Sequence, residues 1–452
     1  MNKIFFESLG CDKNLVDSEE MLGLLAREGF CFTDREQEAE VIIVNTCAFI
    51  GDAKEESIET ILRLAQYKES GSCRVLLAAG CLAERYQEEI LTELPELDGI
   101  VGIGSWDRIV TAVKDALAAA EAGSGEKIRI TEDSSRLPMI GGVRQITTGG
   151  HYAYLKIAEG CDKYCTYCAI PYIRGHYRSY PMETLIGEAR RLAKSGVREL
   201  ILVAQETTLY GTDLYGRKAL PELVRALAQI PELRWIRLLY GYPEELTDEM
   251  ILMMKQEKKL LHYLDLPIQH ASDAVLARMG RRTTGADIRA LVAKLRREIP
   301  DITLRTTLMS GFPGETEEDH QENLALLREL RFDRMGAFAY SREEGTAAYG
   351  FGDRVPKRTA VRRRNELMRL QQSIAFEKNR ALPGREMEVM VEGYIPEEGV
   401  YAARTPMDAP EVDGLLFFPA DREFMSGDFV RIRVTGARDY DLLGEVIDEP
   451  AE

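Results

Sequence analysis

The chain is 452 residues long, 45% hydrophobic and 29% charged, with a net charge of −17. That length exceeds one core, so two to four domains of roughly 100–200 residues each are expected. The acidity argues against a nonspecific polyanion binder. No apolar run approaches the ~18 residues of a membrane helix. The opening MNKIFFESLGCDKN has only a short apolar patch and does not read as a signal peptide. A cytoplasmic location with no membrane partner is expected. In a reducing compartment the eight cysteines point to metal binding or catalysis rather than disulfides.

Residues 1–125 alternate apolar runs (4–6, 41–44, 75–79) with amphipathic helical stretches (18–28, 54–67, 107–122). This alternation predicts a parallel α/β sheet. Residues 121–150 are rich in glycine and polar residues and read as a connection, with a short strand at 127–130. Residues 146–380 form the second region. Strands are predicted there at 152–158, 199–204, 235–240, 263–266, 303–309 and 334–340, with helical stretches between them. Six β/α units imply an incomplete barrel of the TIM type, whose working face lies at the strand C-termini. A charged helical pattern over 358–381 would brace it. Residues 381–452 carry five short strand-like runs (386–392, 400–404, 415–418, 429–434, 442–447), the texture of a small OB-like β-barrel.

Cys161, Cys165 and Cys168 form Cys-x3-Cys-x2-Cys in EGCDKYCTYCAIP, directly after the first barrel strand. Thiolates are soft ligands for iron–sulfur clusters or zinc. A cubane normally takes four cysteines. Three leave one iron open, and an open position is where a metal does chemistry. The competing reading is a structural zinc loop with a distant fourth ligand.

Cys11, Cys47 and Cys81 lie far apart, but in like contexts: FFESLGC, IIVNTC and LLAAGC. Each closes an apolar strand. In a parallel sheet the strand C-termini share one edge, where α/β folds bind ligands, so three thiols can converge there. Taken singly, each is equally a buried packing residue. Cys31 and Cys73 lack the context and read as structural.

The Cys-x3-Cys-x2-Cys loop, Tyr167 and the barrel together resemble the radical S-adenosylmethionine superfamily. With the N-terminal three-cysteine domain and a C-terminal TRAM-type small barrel, the whole chain resembles the methylthiotransferases. SLGCDKNLVDSE (8–19), YLDLPIQHAS (263–272) and GFPGETEED (311–319) resemble the branch that modifies a ribosomal protein. A similar branch modifies adenosine in transfer RNA. The resemblance implies two 4Fe-4S clusters, one generating a radical from S-adenosylmethionine and one handling sulfur. S-adenosylmethionine would also give the methyl group. External electron and sulfur donors are implied too. The implied product is a methylthio group on the β-carbon of an aspartate in small-subunit ribosomal protein S-twelve. By the same resemblance Tyr167 should lie near the adenine.

Gln205, Gln269, Arg305 and Tyr340 lie near predicted strand C-termini, as cofactor-binding residues do. Arg305 would pair with the cofactor carboxylate. Arg174-Gly175-His176 would shape the pocket. His270 reads either as an acid–base group or as a structural hydrogen-bonding group. From 382 onward the chain holds 17 acidic residues against 6 arginines and no lysine, a net of −11. Such a module repels phosphate within a Debye length of ~8 Å and attracts a basic partner, which favours a basic ribosomal protein over RNA as substrate. An electron carrier, or a methyltransferase with inert N-terminal cysteines, are the readings from other classes.

Overall fold

The computed structural model describes residues 2–447 except 134, 141 and 143. The first sheet contains β1 (Lys3–Ser8), β2 (Cys31–Phe32), β3 (Val41–Thr46), β4 (Val75–Gly80), β5 (Gly99–Val101) and β6 (Ile128–Ile130), in the order β2-β1-β3-β4-β5-β6. All pairs are parallel. β3 and β4 are buried along their whole length, as central strands covered on both faces must be. Ile43 and Leu77 pack toward Val113 and Leu117, while Ile42, Val44 and Leu76 pack toward Ile61 and Leu64. Successive residues thus feed opposite helix layers.

The sequence pattern missed β2 and β5, which are only two and three residues long. It also assigned 127–130 to a connection beyond residue 125, whereas β6 is the edge strand of this sheet. The short strand expected at 127–130 is thus present, and pairing with β5 makes it part of the first sheet.

The second sheet contains β7 (Tyr152–Lys156), then β10 (Glu199–Val203), β11 (Trp235–Leu238), β12 (Leu260–Asp265), β13 (Thr303–Ser310) and β14 (Arg334–Ala339), parallel and in that order. All six expected strands are present, in an open barrel. Between β7 and β10, β8 (Ala158–Glu159) and β9 (Arg178–Ser179) make a small antiparallel ribbon that the sequence did not announce. The helix Lys357–Arg380 packs on β13 and β14 and reaches the third domain. Its Gln371 donates to the carbonyl of Phe332 at 2.8 Å.

The third domain is a closed five-stranded barrel: β15 (Glu386–Ile395), β16 (Val400–Arg404), β17 (Leu416–Phe418), β18 (Phe429–Arg438) and β19 (Asp441–Val446), in the order β15-β16-β17-β19-β18. Its Phe429 meets Trp235 edge-on with ring centroids 5.0 Å apart, and Met390 and Ala409 join Tyr152, Tyr154 and Tyr263 in one apolar cluster. Tyr152 and Trp235 begin β7 and β11. The small barrel therefore seats at the N-terminal end of the large one, opposite the Cys161–Cys168 loop.

Candidate metal centres and the chamber between the domains

Gly160 turns the chain from β8 into the cysteine loop. Its φ is +77°, and a Cβ there would stand 2.0 Å from the carbonyl oxygen of His176, so only glycine fits. The close approach lets Cys161 N–H donate to the carbonyl of Gly175 at 3.1 Å. Thr166 N–H donates to the carbonyl of Met279, and Cys168 N–H to that of Cys165. The loop is thus pinned at its start, middle and end. Cys161 and Cys165 are buried and Cys168 is half-buried. Burial pushes the Cys161 thiol up to about 12 and raises Cys168 as well. Thiols in such a dry site ionise only against a bound cation.

Cys11, Cys47 and Cys81 stand just beyond β1, β3 and β4, three neighbouring strands. Cys11 caps the helix Asp12–Arg27 and Cys81 begins the helix Cys81–Glu93. Helix N-termini favour anionic ligands. Gly10 lies against Cys47: a Cβ on it would stand 3.3 Å from the Cys47 Sγ. Gly80 has φ +86°, and a Cβ there would meet Asn45 Oδ1 at 2.2 Å. Burial is the main cause that raises Cys47 and pushes Cys81 up to about 12, and each of these thiols feels its neighbours in the triad. Cys73 is buried away from this edge and Cys31 is exposed.

Among the described residues, no three His, Cys, Asp or Glu side chains close on one point as ligands of a single ion do. Thiolates sharing one tetrahedral ion at about 2.3 Å are only about 3.8 Å apart. A structural zinc loop needs that tight tetrahedron. A cubane does not, because each thiolate binds a different iron. Two sets of three buried or half-buried thiols, one set capped by helix N-termini, suit clusters as a donor chemistry.

A buried ionic network joins the two triads. Lys156, at the end of β7, pairs with Asp17 and with Glu159, the latter at 2.7 Å. Arg174 donates to both Glu159 oxygens at 2.8 and 2.9 Å, to Asn14 Oδ1 at 3.1 Å, and reaches the Cys81 Sγ at 3.6 Å. Asn14 donates in turn to the carbonyls of Leu9 and Thr46, which precede Cys11 and Cys47. Burial works against ionising Glu159, but the Arg174 and Lys156 charges outweigh it and hold the carboxyl well below the usual range. Arg174 was expected to shape the pocket; Asn14, Asp17, Lys156 and Glu159 were missed. Their only signal was a lysine and a glutamate inside the apolar run YAYLKIAEGC.

Between the cysteine-bearing edge and the barrel mouth lies a chamber of about 600 Å³. Phe49 and Ile50, just after Cys47, form one wall; Tyr167, Gln269, Met309 and Tyr340 form the other. The volume falls in the range of small-molecule sites. The buried hydroxyl of Tyr340 has no hydrogen-bond partner among the described residues, so a polar ligand has a group to meet. Tyr167 packs edge-on to Phe312 with centroids 6.4 Å apart. Gln269 adopts a left-handed φ of 69° at the chamber wall, a strained conformation of the kind that gathers at ligand sites.

Two expected cofactor residues lie elsewhere. Gln205 donates to Glu159 at 3.2 Å and belongs to the ionic network, while its buried Oε1 has no partner among the described residues. Arg305 does not line the chamber: it points inward lower on β13, 3.2 Å from Asp265 and 3.8 Å from Asp413. The carboxylate it pairs with is thus the protein's own, which corrects its expected role. His270 is buried, accepting from Ser272 N–H at 3.0 Å and contacting Asn323 at 2.7 Å, which is a structural role.

Family models agree with this division. Residues 3–102 match uncharacterized protein family UPF0004, 155–327 the radical SAM superfamily, and 384–447 the TRAM domain. A protein of Lachnoclostridium phytofermentans named ribosomal protein uS12 methylthiotransferase RimO is 54% identical over 98% of this chain and 99% of its own length. The chain belongs to the RimO methylthiotransferase family. A RimO of Acetivibrio thermocellus is 48% identical over 100% of this chain and 99% of its own. Among solved structures, the radical S-adenosylmethionine methyltransferase TsrM from Kitasatospora setae superposes with a TM-score of 0.56 over 76% of each chain, at 13% identity; that likeness concerns the fold. Membership of the superfamily implies S-adenosylmethionine and a 4Fe-4S cluster.

Proposed function

We propose that this protein is a radical S-adenosylmethionine methylthiotransferase that places a methylthio group on the β-carbon of an aspartate in ribosomal protein uS12. The observation that carries the reading is the placement of Cys11, Cys47 and Cys81 just beyond three neighbouring strands of one sheet, with Phe49 and Ile50 after Cys47 lining a chamber whose other wall includes Tyr167 of the Cys161–Cys168 loop. The full-length relatives bearing that activity in their names supply the substrate.

The target chemistry explains the layout. A β-carbon C–H beside a carboxylate has no usable acidity, so a positioned general base cannot remove its proton. Bound clusters and S-adenosylmethionine would supply hydrogen-atom abstraction and a sulfur source. The chain's own residues do the rest. Cys161, Cys165 and Cys168 would hold one cluster, and Cys11, Cys47 and Cys81 the other. Three thiols each would leave an iron open toward the chamber. Tyr167 and Gln269 would flank the S-adenosylmethionine, and the wall of Phe49 and Ile50 would keep water from the reacting atoms. External electron and sulfur donors would be needed.

Among the described residues, the third domain contributes none to the chamber lining. Part of its acidity serves docking: Asp408 pairs with Arg334 at 2.6 Å and Glu388 with Arg234 at 2.6 Å. The remaining exposed carboxylates would recruit a basic protein from outside the chamber. The test is anaerobic incubation of the reconstituted enzyme with uS12 or with transfer RNA, followed by mass spectrometry. One added methylthio group on a uS12 aspartate is expected. Methylthio-adenosine in its place, or a methyl group without sulfur, would overturn the reading.

A further inference from the structure

Arg174 touches the surroundings of both triads at once. It follows Cys168 by one short helix, Ile170–Ile173. The carbonyl of the next residue, Gly175, receives the Cys161 N–H at 3.1 Å. Its guanidinium leaves the barrel and enters the N-terminal domain, where Nη2 stands 3.6 Å from the Cys81 Sγ. The side chain is 1% exposed. Glu159 holds Nη1 through two oxygens and Asn14 holds Nη2, so the fork has one orientation. A lysine would carry the charge without that fixed fork.

We propose that Arg174 is a positioning residue that aims the Cys81 thiolate and raises the reduction potential of the centre held by Cys11, Cys47 and Cys81, independently of the radical-generating centre. The proposal rests on the reading of that triad as a cluster site. A cluster gains one negative charge on reduction. A fixed cation in a dry site stabilises the more negative state, because low dielectric strengthens the attraction, and hydrogen bonds to cluster sulfurs and nearby charge are the levers by which proteins set such potentials. On the other triad only the backbone beside Arg174 makes contact, so its charge acts there more weakly.

The test is a redox titration of the reconstituted, anaerobic protein, poised with dithionite and followed by electron paramagnetic resonance. A Cys161→Ala background isolates the second centre, and a Cys47→Ala background isolates the first. In the Cys161→Ala background, Arg174→Gln is expected to shift the reduction equilibrium at least tenfold toward the oxidised form, about 59 mV for one electron. In the Cys47→Ala background the potential should stay put. Arg174→Lys should retain iron and restore most of the shift. An unchanged potential at unchanged iron and sulfide content overturns the proposal, as does an equal shift at both centres. Should Arg174→Gln lose its iron, Arg174→Lys decides: iron kept near the parent potential supports the proposal, and iron lost overturns it in favour of a packing role. Absence of iron from the Cys161→Ala parent itself would refute the triad as a cluster site, a result distinct from any of these.

Discussion

Cys161, Cys165 and Cys168 lie within eight consecutive residues on one loop, whereas Cys11, Cys47 and Cys81 span 71 residues and share one sheet edge only because β1, β3 and β4 are neighbours in a parallel sheet. The first triad takes its geometry from local turns, pinned by Gly160 and by backbone hydrogen bonds. The second takes it from strand order. A local triad can be damaged without touching its domain; a topological triad shares the stability of the sheet that assembles it. The two meet at Arg174 and Glu159, so some perturbations should reach both.

The largest effect that separates them comes from removing thiols. Cys161→Ala should abolish both S-adenosylmethionine cleavage and methylthio transfer. Cys47→Ala should abolish methylthio transfer while cleavage under dithionite persists. Each variant should lose the iron of one triad only, read as anaerobic iron and sulfide content. Loss of all iron from either would end the picture of two independent sites.

Next in size is the shared network. Glu159→Gln leaves Arg174 and Lys156 short of an anion in a dry site, and breaking a buried pair this way costs about 3–5 kcal/mol. Urea unfolding should show the loss, with both triads affected. The Glu159 carboxyl is held below its ordinary value of 4.5. Its stabilisation is therefore present above that value and fades as pH falls through the folded-state value. The parent should lose stability in acid more steeply than Glu159→Gln, and parallel curves would refute the assignment.

Two glycines sharpen the contrast at a smaller cost. Gly160→Ala drives a Cβ into a backbone carbonyl of the cluster loop, and Gly80→Ala drives one into Asn45 beside the sheet edge. Each should cost about 2–4 kcal/mol. Gly160→Ala should lower iron at the loop triad and Gly80→Ala at the sheet triad, as measured in the matching single-triad backgrounds.

The smallest expected effect is a pH slope. Glu206 is buried near Cys161 and pushed up to about 8 by its burial, against 4.5 ordinarily. A raised carboxyl contributes stability that is full below the unfolded value and fades as pH rises through the folded one. The melting temperature should therefore decline between about pH 5 and pH 8, and Glu206→Gln should flatten that decline.

Much of this was legible in the chain. Six strand-like runs after residue 150 marked the barrel strands: β7, β10 and β11 are buried along their whole length and read as continuous apolar runs, while β13 alternates as a half-buried strand does. The Cys-x3-Cys-x2-Cys loop was legible because its ligands are local. Even the scattered triad could be read, since each cysteine follows an apolar run and parallel topology sends all strand ends to one edge. β6 was read as a short strand but placed in the connection, because the sheet an edge strand joins is set by its neighbour rather than by its own residues. Arg305 was misread for a related reason: its place near a strand end was clear, but the carboxylates it pairs with, Asp265 and Asp413, come from an adjacent strand and from another domain.

The sequence alone determined the longer strands, the main helices between them and which cysteines end a strand, since hydrophobic periodicity and ligand spacing act over a few residues. Only the tertiary structure decided that Lys156, Glu159 and Arg174 meet Asn14 and Asp17 between the two triads, and that the acidic small barrel seats away from the chamber. Ion pairs between domains depend on where whole layers dock, and no local pattern in the chain records that.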